Sequence, residues 1–195
     1  MNVVRIGLLR HFKVRKGMPE GWLTARELTL WRTEYDCSDV LPKEIDLGGI
    51  AWKRCYSSDS PRALVTAKAV FGSDIIMCAQ LREVEFSEFQ TGRLPLPFWM
   101  WRWLLRFAWM TSHSSQSSAR TDFMERIKAK AKVLASLHEN TLVVCHAGVM
   151  AYLRKELIDY GFEGPKFGIA EHATLYVFEK QLLPQASSAE LPVAT

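Results

Sequence analysis

Arg10-His11, Arg62 and His146 are the residues whose types and placement suit chemistry. Each stands at or just past the carboxyl end of a short apolar run that reads as a strand. Arg10 and His11 follow Val3–Leu9, Arg62 lies just beyond Cys55–Ser58, and His146 follows Leu142–Cys145. Two guanidinium groups and two imidazoles on one sheet rim make a poor core, but they suit a bound dianion. Arginine presents planar, forked donors that match phosphate oxygens, and a helix starting at Pro61 adds a positive N-terminus nearby. Arg62 opposes the helix dipole there, so an anion is expected to compensate it. A histidine nucleophile needs an unprotonated ring nitrogen, which neighbouring positive charge favours. Phosphoryl transfer spreads negative charge over the non-bridging oxygens, so a preorganised cationic clamp lowers its barrier without a metal. Taken singly these residues have bland readings: His11 as a satisfied structural histidine, Arg62 as a solvated charge. Cys145 beside His146 reads better as a small buried strand residue than as a nucleophile.

The elements that must position these groups alternate. After the first strand, Lys13–Trp22 is basic, holds two Gly and a Pro, and reads as a loop. Thr24-Ala25-Arg26-Glu27 has capping-box spacing and opens a helix to about Tyr35. After the second strand, Ser60 caps a helix with Pro61 at its first position and Gly72 closing it. Ile75–Cys78 is the third strand. Arg120 to about Leu137 is a helix with Phe123, Ile127, Ala131 and Leu134 on one stripe. The fourth strand leads into a helix over Val149–Tyr160 that stops at Gly161, and Ala173–Phe178 alternates as a last strand. This order predicts an α/β fold: a three-layer α/β/α sandwich with a mainly parallel central sheet, whose carboxyl edge is where ligands bind. The stretch at about 87–119 breaks the alternation and is expected to be a small helical insert over the active-site edge. Residues 1–180 form one domain with no internal repeat or linker, and 181–195 read as a flexible tail.

Several of these segments carry a resemblance. Leu9-Arg10-His11, Tyr56-Ser57-Ser58-Asp59-Ser60-Pro61-Arg62-Ala63 with Thr66-Ala67, Leu81-Arg82-Glu83, and Val143-Val144-Cys145-His146-Ala147-Gly148-Val149 are similar to the motifs of the histidine phosphatase superfamily, which includes the cofactor-dependent phosphoglycerate mutases. The Leu23-Thr24 helix start also fits, and the motifs span about residues 3 to 178 in the family's order. The resemblance implies that His11 attacks phosphorus to form a phosphohistidine. Arg10, Arg62 and His146 would hold the phosphoryl oxygens, and Glu83 would serve as general acid and then base, with Glu85 and Glu88 as rival carboxylates. Ala147 and Arg15 are further expected substrate contacts. The sequence departs from the family at Phe12 and Ala147, where Gly is usual, and at Gln116 within Ser115-Gln116-Ser117, where many members carry Gly-Glu-Ser.

The expected activity is a metal-independent phosphatase acting on a phosphomonoester. The alternatives are a mutase-type phosphotransferase, which the chain's shorter length disfavours, and a catalytically weakened phosphate-binding regulator, motivated by Phe12 and Gln116. The chain has 195 residues, is 48% hydrophobic and 24% charged, and has a formal net charge of +4. That composition excludes a disordered or collagen-like chain. The basic balance leans towards anionic ligands, and no dense Lys/Arg patch with interleaved aromatics points to nucleic acid. Lys13, Arg15 and Lys16 form a basic loop placed to meet a second negative group on a substrate, although a solvated charge run is the commoner fate of such residues. Cys37, Cys55, Cys78 and Cys145 lie far apart, with no zinc spacing, so no metal or cofactor is expected and a cytoplasmic location fits. Leu94 to Met110 is the most apolar stretch, but with Arg102 and Arg106 it falls short of the roughly 20 mostly uncharged residues of a spanning helix. Within it, Phe98, Trp101, Leu105 and Trp109 share one helical face. A lid shaping substrate choice is the first reading of that helix; a homodimer contact or a membrane-surface helix is the second.

Overall fold

The computed structural model describes residues 2–85 and 93–182. In chain order the strands and helices are β1 (Asn2–Arg10), β2 (Lys13–Val14), β3 (Trp22–Leu23), α1 (Ala25–Asp36), β4 (Val40–Leu41), β5 (Arg54–Ser57), α2 (Pro61–Phe71), β6 (Ile76–Met77), β7 (Leu96–Pro97), α3 (Phe98–Met110), α4 (Ser117–Ala135), β8 (Thr141–Cys145), α5 (Ala147–Asp159) and β9 (Leu175–Leu182). The main sheet has the order β6-β5-β8-β1-β9. Its pairs β5·β6, β5·β8 and β1·β8 are parallel, and β9 runs antiparallel on β1. This is the expected α/β architecture with a mostly parallel sheet.

The central strands are buried on both faces, which explains their uninterrupted apolar runs. Val4, Ile6 and Leu8 of β1, with Val143 and Cys145 of β8, join a core that includes Phe123, Ile127 and Leu134 of α4 and Met150 and Leu153 of α5. Leu9, Leu142 and Val144 point the other way, towards Ala63 and Ala67 of α2. The predicted stripe Phe123, Ile127, Ala131 and Leu134 is buried throughout. Gly72 and Gly161 follow α2 and α5 with φ of 97° and 84°, a left-handed backbone that suits glycine and stops each helix.

Some elements differ from the sequence reading, and the reasons are physical. The third strand shrinks to β6, a sheet edge paired only through Tyr56↔Ile76 and Ser57↔Met77. The last strand is displaced towards the C-terminus, because its register on β1 runs from Leu9↔Leu175 to Asn2↔Leu182. Two miniature antiparallel pairs, β2·β4 and β3·β7, were not expected. The second of these ties the approach to α1 to the start of α3, and a hydrogen bond from Trp101 Nε1 to the Leu23 carbonyl (2.8 Å) reinforces it. Trp101 and Trp109 of α3 are buried, as their shared face predicts. Trp99, Trp103, Phe107 and Met110 instead face outward, with Phe107 67% and Met110 77% exposed. Residues 86–92, including Glu88, and 183–195 lie outside the described residues. No described helix is long and apolar enough to cross a membrane.

Candidate active site

Parallel pairing brings the motif residues to one rim. Arg10 is in register with Cys145, the His11 amide donates to the Cys145 carbonyl (3.1 Å), and the Ser58 amide donates to the Val144 carbonyl (2.9 Å). The residues after β1, β5 and β8 therefore emerge together. The His11 and His146 rings meet edge to face with centroids 5.0 Å apart. The sheet thus delivers two residues that are 135 positions apart in sequence to van der Waals contact.

His11 is only 3% exposed. Its Nδ1 lies 2.6 Å from the Phe12 carbonyl oxygen. A carbonyl only accepts, so Nδ1 carries the proton and Nε2 keeps its lone pair. Burial, together with Arg62, His172 and Arg10, lowers the His11 pKa from the usual 6.5 to about 3, against the opposing pull of the Phe12 carbonyl. The ring is therefore neutral at pH 7, the state a nitrogen nucleophile requires. His146 is fully buried, and burial with the nearby His11, Arg62 and Arg10 keeps its pKa well below 6.5. Its Nε2 lies 3.1 Å from both the Ser60 and the Ser58 hydroxyls. Ser60 occupies the N-cap position of α2 but makes no capping bond with its side chain. The expected cap is replaced because its hydroxyl is engaged by the histidine.

Arg62, in the first turn of α2, donates from Nη1 to Asp36 at the end of α1 (2.7 Å), which supplies the expected compensating anion. Its guanidinium also sits 5.8 Å from the Tyr35 ring centroid. Arg10 donates to the Ala170 carbonyl (2.6 Å). Arg10 Nε, Arg62 Nε and His146 Nδ1 are buried without a partner among the described residues. A buried donor left unpaired costs about 1–3 kcal/mol, and the oxygens of a bound oxyanion are the acceptors that three such nitrogens would suit.

Glu83 follows a 3₁₀ turn at Ala79–Leu81. Its carboxylate accepts from the Val84 amide (3.0 Å) and from the Gly148 amide (3.3 Å) in the first turn of α5. The close approach depends on Gly148, since a Cβ there would fall 2.5 Å from Glu83 Oε1. Of the rival carboxylates, Glu85 lines the same cavity and Glu88 lies outside the described residues. The cavity measures about 550 Å³ and is walled by α1, α3 and the segment around Glu83. Arg62, Glu83 and His146 open onto it. His11 and Arg10 do not line it; His11 touches the lining residue His146.

Other expectations resolve unevenly. Arg15 is exposed, bonded through its amide to the Asp39 carbonyl (2.8 Å), and does not line the cavity. Ala147 is the first residue of α5, next to His146. Phe12 is buried with its amide on Thr66 Oγ1 (2.9 Å), so its ring packs inside and does not narrow the mouth. Gln116 is fully buried at the start of α4 and is not part of the cavity wall. Burial raises the Cys145 thiol pKa strongly, which leaves it an inert core residue.

Two residues escaped the sequence reading. His172 packs its ring 5.1 Å from that of His11, with Nδ1 3.1 Å from the His11 carbonyl oxygen. Arg126 of α4 donates to the carbonyls of Gln80 (2.7 Å), Arg82 (2.7 Å) and Glu83 (3.2 Å), fixing the backbone that carries the carboxylate. The only sequence signal for His172 was its place just before the last strand, and Arg126 carried none. Among the described residues, no group of three or more His, Cys, Asp or Glu side chains is placed to hold a metal ion.

The profile of the histidine phosphatase superfamily (branch 1) matches residues 45–181, a stretch that holds Arg62, Glu83 and His146, whereas Arg10 and His11 precede it. No curated protein sequence matches significantly. A phosphoglycerate mutase from Bacillus anthracis str. Sterne has a similar structure, with TM-score 0.54 and 24% identity over 92% of this chain and 89% of that one. A provisionally assigned alpha-ribazole-5'-P phosphatase from Escherichia coli str. K-12 substr. MG1655 gives TM-score 0.50 and 17% identity over 90% of each chain. The structures share the fold, and the profile match covers more than half of the sequence: the chain belongs to the histidine phosphatase superfamily.

Proposed function

We propose that the protein is a phosphatase that hydrolyses a phosphomonoester through a phosphohistidine on His11, without a metal. The observation that carries this reading is the state of His11: neutral, with its Nδ1 proton donated to the Phe12 carbonyl oxygen, packed against His146 and under the positive field of Arg62 and Arg10. In the first step the Nε2 lone pair forms a bond to phosphorus, while the bond from phosphorus to the ester oxygen breaks. Glu83 in its acid form gives its proton to the departing oxygen. In the second step Glu83 as carboxylate takes a proton from water, whose oxygen attacks phosphorus and releases the histidine nitrogen. Arg10, Arg62 and His146 stabilise the charge on the non-bridging oxygens throughout. The buried position of Phe12 counts against a weakened regulator with a blocked mouth. Four free cysteines suit a reducing, cytoplasmic setting.

Hydrolysis of p-nitrophenyl phosphate in the presence of EDTA tests the proposal. The native chain is expected to turn over, and His11→Ala to lose at least about 10³-fold, as removal of a covalent nucleophile does. Rapid quenching with a labelled ester should give protein-bound phosphate that is stable in base and released in acid. Unchanged turnover in His11→Ala, or dependence on a divalent metal, would overturn the mechanism.

A further inference from the structure

We infer that the alcohol part of the ester is bulky and apolar and carries no second acidic group; this rests on the phosphatase reading above. Beyond the clamp around the phosphoryl group, the wall is formed by Leu28 and Tyr35 of α1, Val84, and Trp101 and Leu105 of α3. At about 550 Å³ the space lies in the range that holds a ligand of many heavy atoms. A small sugar-acid phosphate would leave most of it unfilled.

Charge points the same way. The cavity is lined by Arg32, Arg62 and Arg82, against Asp36, Asp59, Glu83 and Glu85. Each arginine already holds a partner, and Arg62 keeps its Nε for the phosphoryl group. Arg62 pairs with Asp36, Arg82 forks onto both oxygens of Asp59 (2.5–3.0 Å), and Arg32 donates to the Val84 carbonyl (3.3 Å). A carboxylate or second phosphate on the substrate would meet arginines that already hold partners, the Glu85 carboxylate and an apolar wall, a costly place for an unpaired charge. An alkyl or aryl group would gain there what apolar burial gives, about fourfold in binding per methylene removed from water.

The test compares kcat/KM of the full chain for ethyl, n-hexyl and glycerol phosphates and for 3-phosphoglycerate. All four release alkoxides, so differences read the cavity more than leaving-group strength. The expected order places n-hexyl phosphate roughly 10²-fold above ethyl phosphate, with 3-phosphoglycerate the poorest. Leu28→Lys, a substitution a helix tolerates, should lower the ratio of n-hexyl phosphate to 3-phosphoglycerate by about tenfold or more, by adding a cation to the wall. Should that variant not fold, Leu105→Ala serves, with an expected several-fold loss of the chain-length dependence. Equal or better turnover of 3-phosphoglycerate, or rates independent of chain length, would overturn the inference and leave the phosphatase reading standing. No turnover of any ester, with no label trapped on His11, would overturn both.

Discussion

The His11 imidazole owes its neutral state to two neighbours of different kinds. The Phe12 carbonyl holds the proton on Nδ1, and burial among cations keeps a second proton off the ring. Since the folded pKa is about 3, the ring stays neutral on going from pH 7 to about 5, where an ordinary histidine would be mostly protonated. After correction for the ester's own ionisation, kcat/KM should show no unit-slope fall centred near 6.5. A fall of that shape, lost in no other variant, would mean that His11 titrates normally and that its burial does not persist in solution. Glu83 gives a second prediction. A proton is needed when the departing oxygen is a strong base and is hardly needed when it is p-nitrophenolate. Glu83→Gln should therefore cost roughly 10²–10⁴-fold on an alkyl phosphate and much less on p-nitrophenyl phosphate, measured side by side. Equal losses on both would assign Glu83 a structural part only. Arg10, His11, Arg62, Glu83 and His146 were legible in the sequence because each sits in a motif at a strand end or turn. His172 and Arg126 were not legible. An antiparallel strand register brings the first beside His11. The second is a helical arginine whose carbonyl partners are 43 to 46 residues away, so from sequence it looks like any solvated charge.

The first turn of α5 is the element on which Glu83 and His146 are both set. His146 is its N-cap, and the Gly148 amide reaches the Glu83 carboxylate. Glycine is a poor helix former, so Gly148→Ala on propensity alone would favour the helix by up to about 1 kcal/mol. The added methyl carbon would sit 2.5 Å from Glu83 Oε1 and 3.2 Å from Val84 Cγ2. The flexible carboxylate is the group that gives way. Gly148→Ala is thus expected to keep its melting temperature within a few degrees while kcat on an alkyl phosphate falls about tenfold or more, a divergence that calorimetry and kinetics on one sample would read. A fall in melting temperature without a kinetic effect would show that Val84 and the helix move instead. The long elements were legible from local signals: the Thr24–Glu27 capping box is present as read, and the apolar stripe of α4 is buried. The two-residue strands β2, β3, β4 and β7 were not, because their pairing comes from tertiary proximity and not from any alternation in their sequences. For α3 the sequence located the buried side at Trp101 and Trp109, but not that Trp103 and Phe107 would stay exposed.

At the scale of the whole molecule, a site built from neutral buried histidines makes folding depend on pH. His11 falls from 6.5 to about 3 on folding and His146 falls well below 6.5, in both cases chiefly through burial. Below 6.5 the unfolded chain therefore binds protons that the folded chain refuses. For groups with depressed folded pKa, the stability they support is fully present above the unfolded value and is lost as pH falls towards the folded one. His11 then contributes a loss of about 1.4 kcal/mol per pH unit inside that window, and His146 and His172, both lowered chiefly by burial, add losses of the same sign. For a chain of this size the His11 contribution alone corresponds to a drop in melting temperature of roughly 3–6 °C per unit below pH 6, against a nearly flat profile from about 7 to 8. Asp59, whose carboxyl is lowered chiefly by its hydrogen bonds from Arg82, adds a loss of the same sign only at more acidic pH. His11→Gln replaces one titrating ring by a polar side chain that does not titrate, so it should reduce the slope between about pH 6 and 4 by roughly 3–6 °C per unit. Saturating inorganic phosphate acts in the opposite sense on the native chain: an anion among Arg10, Arg62 and His146 raises the histidines' proton affinity and stabilises the fold by mass action. The acid-induced drop should therefore shrink with phosphate in the native chain, and less so in His11→Gln. Melting curves identical with and without phosphate at pH 5 would mean that the clamp does not bind the oxyanion from which its whole arrangement was argued.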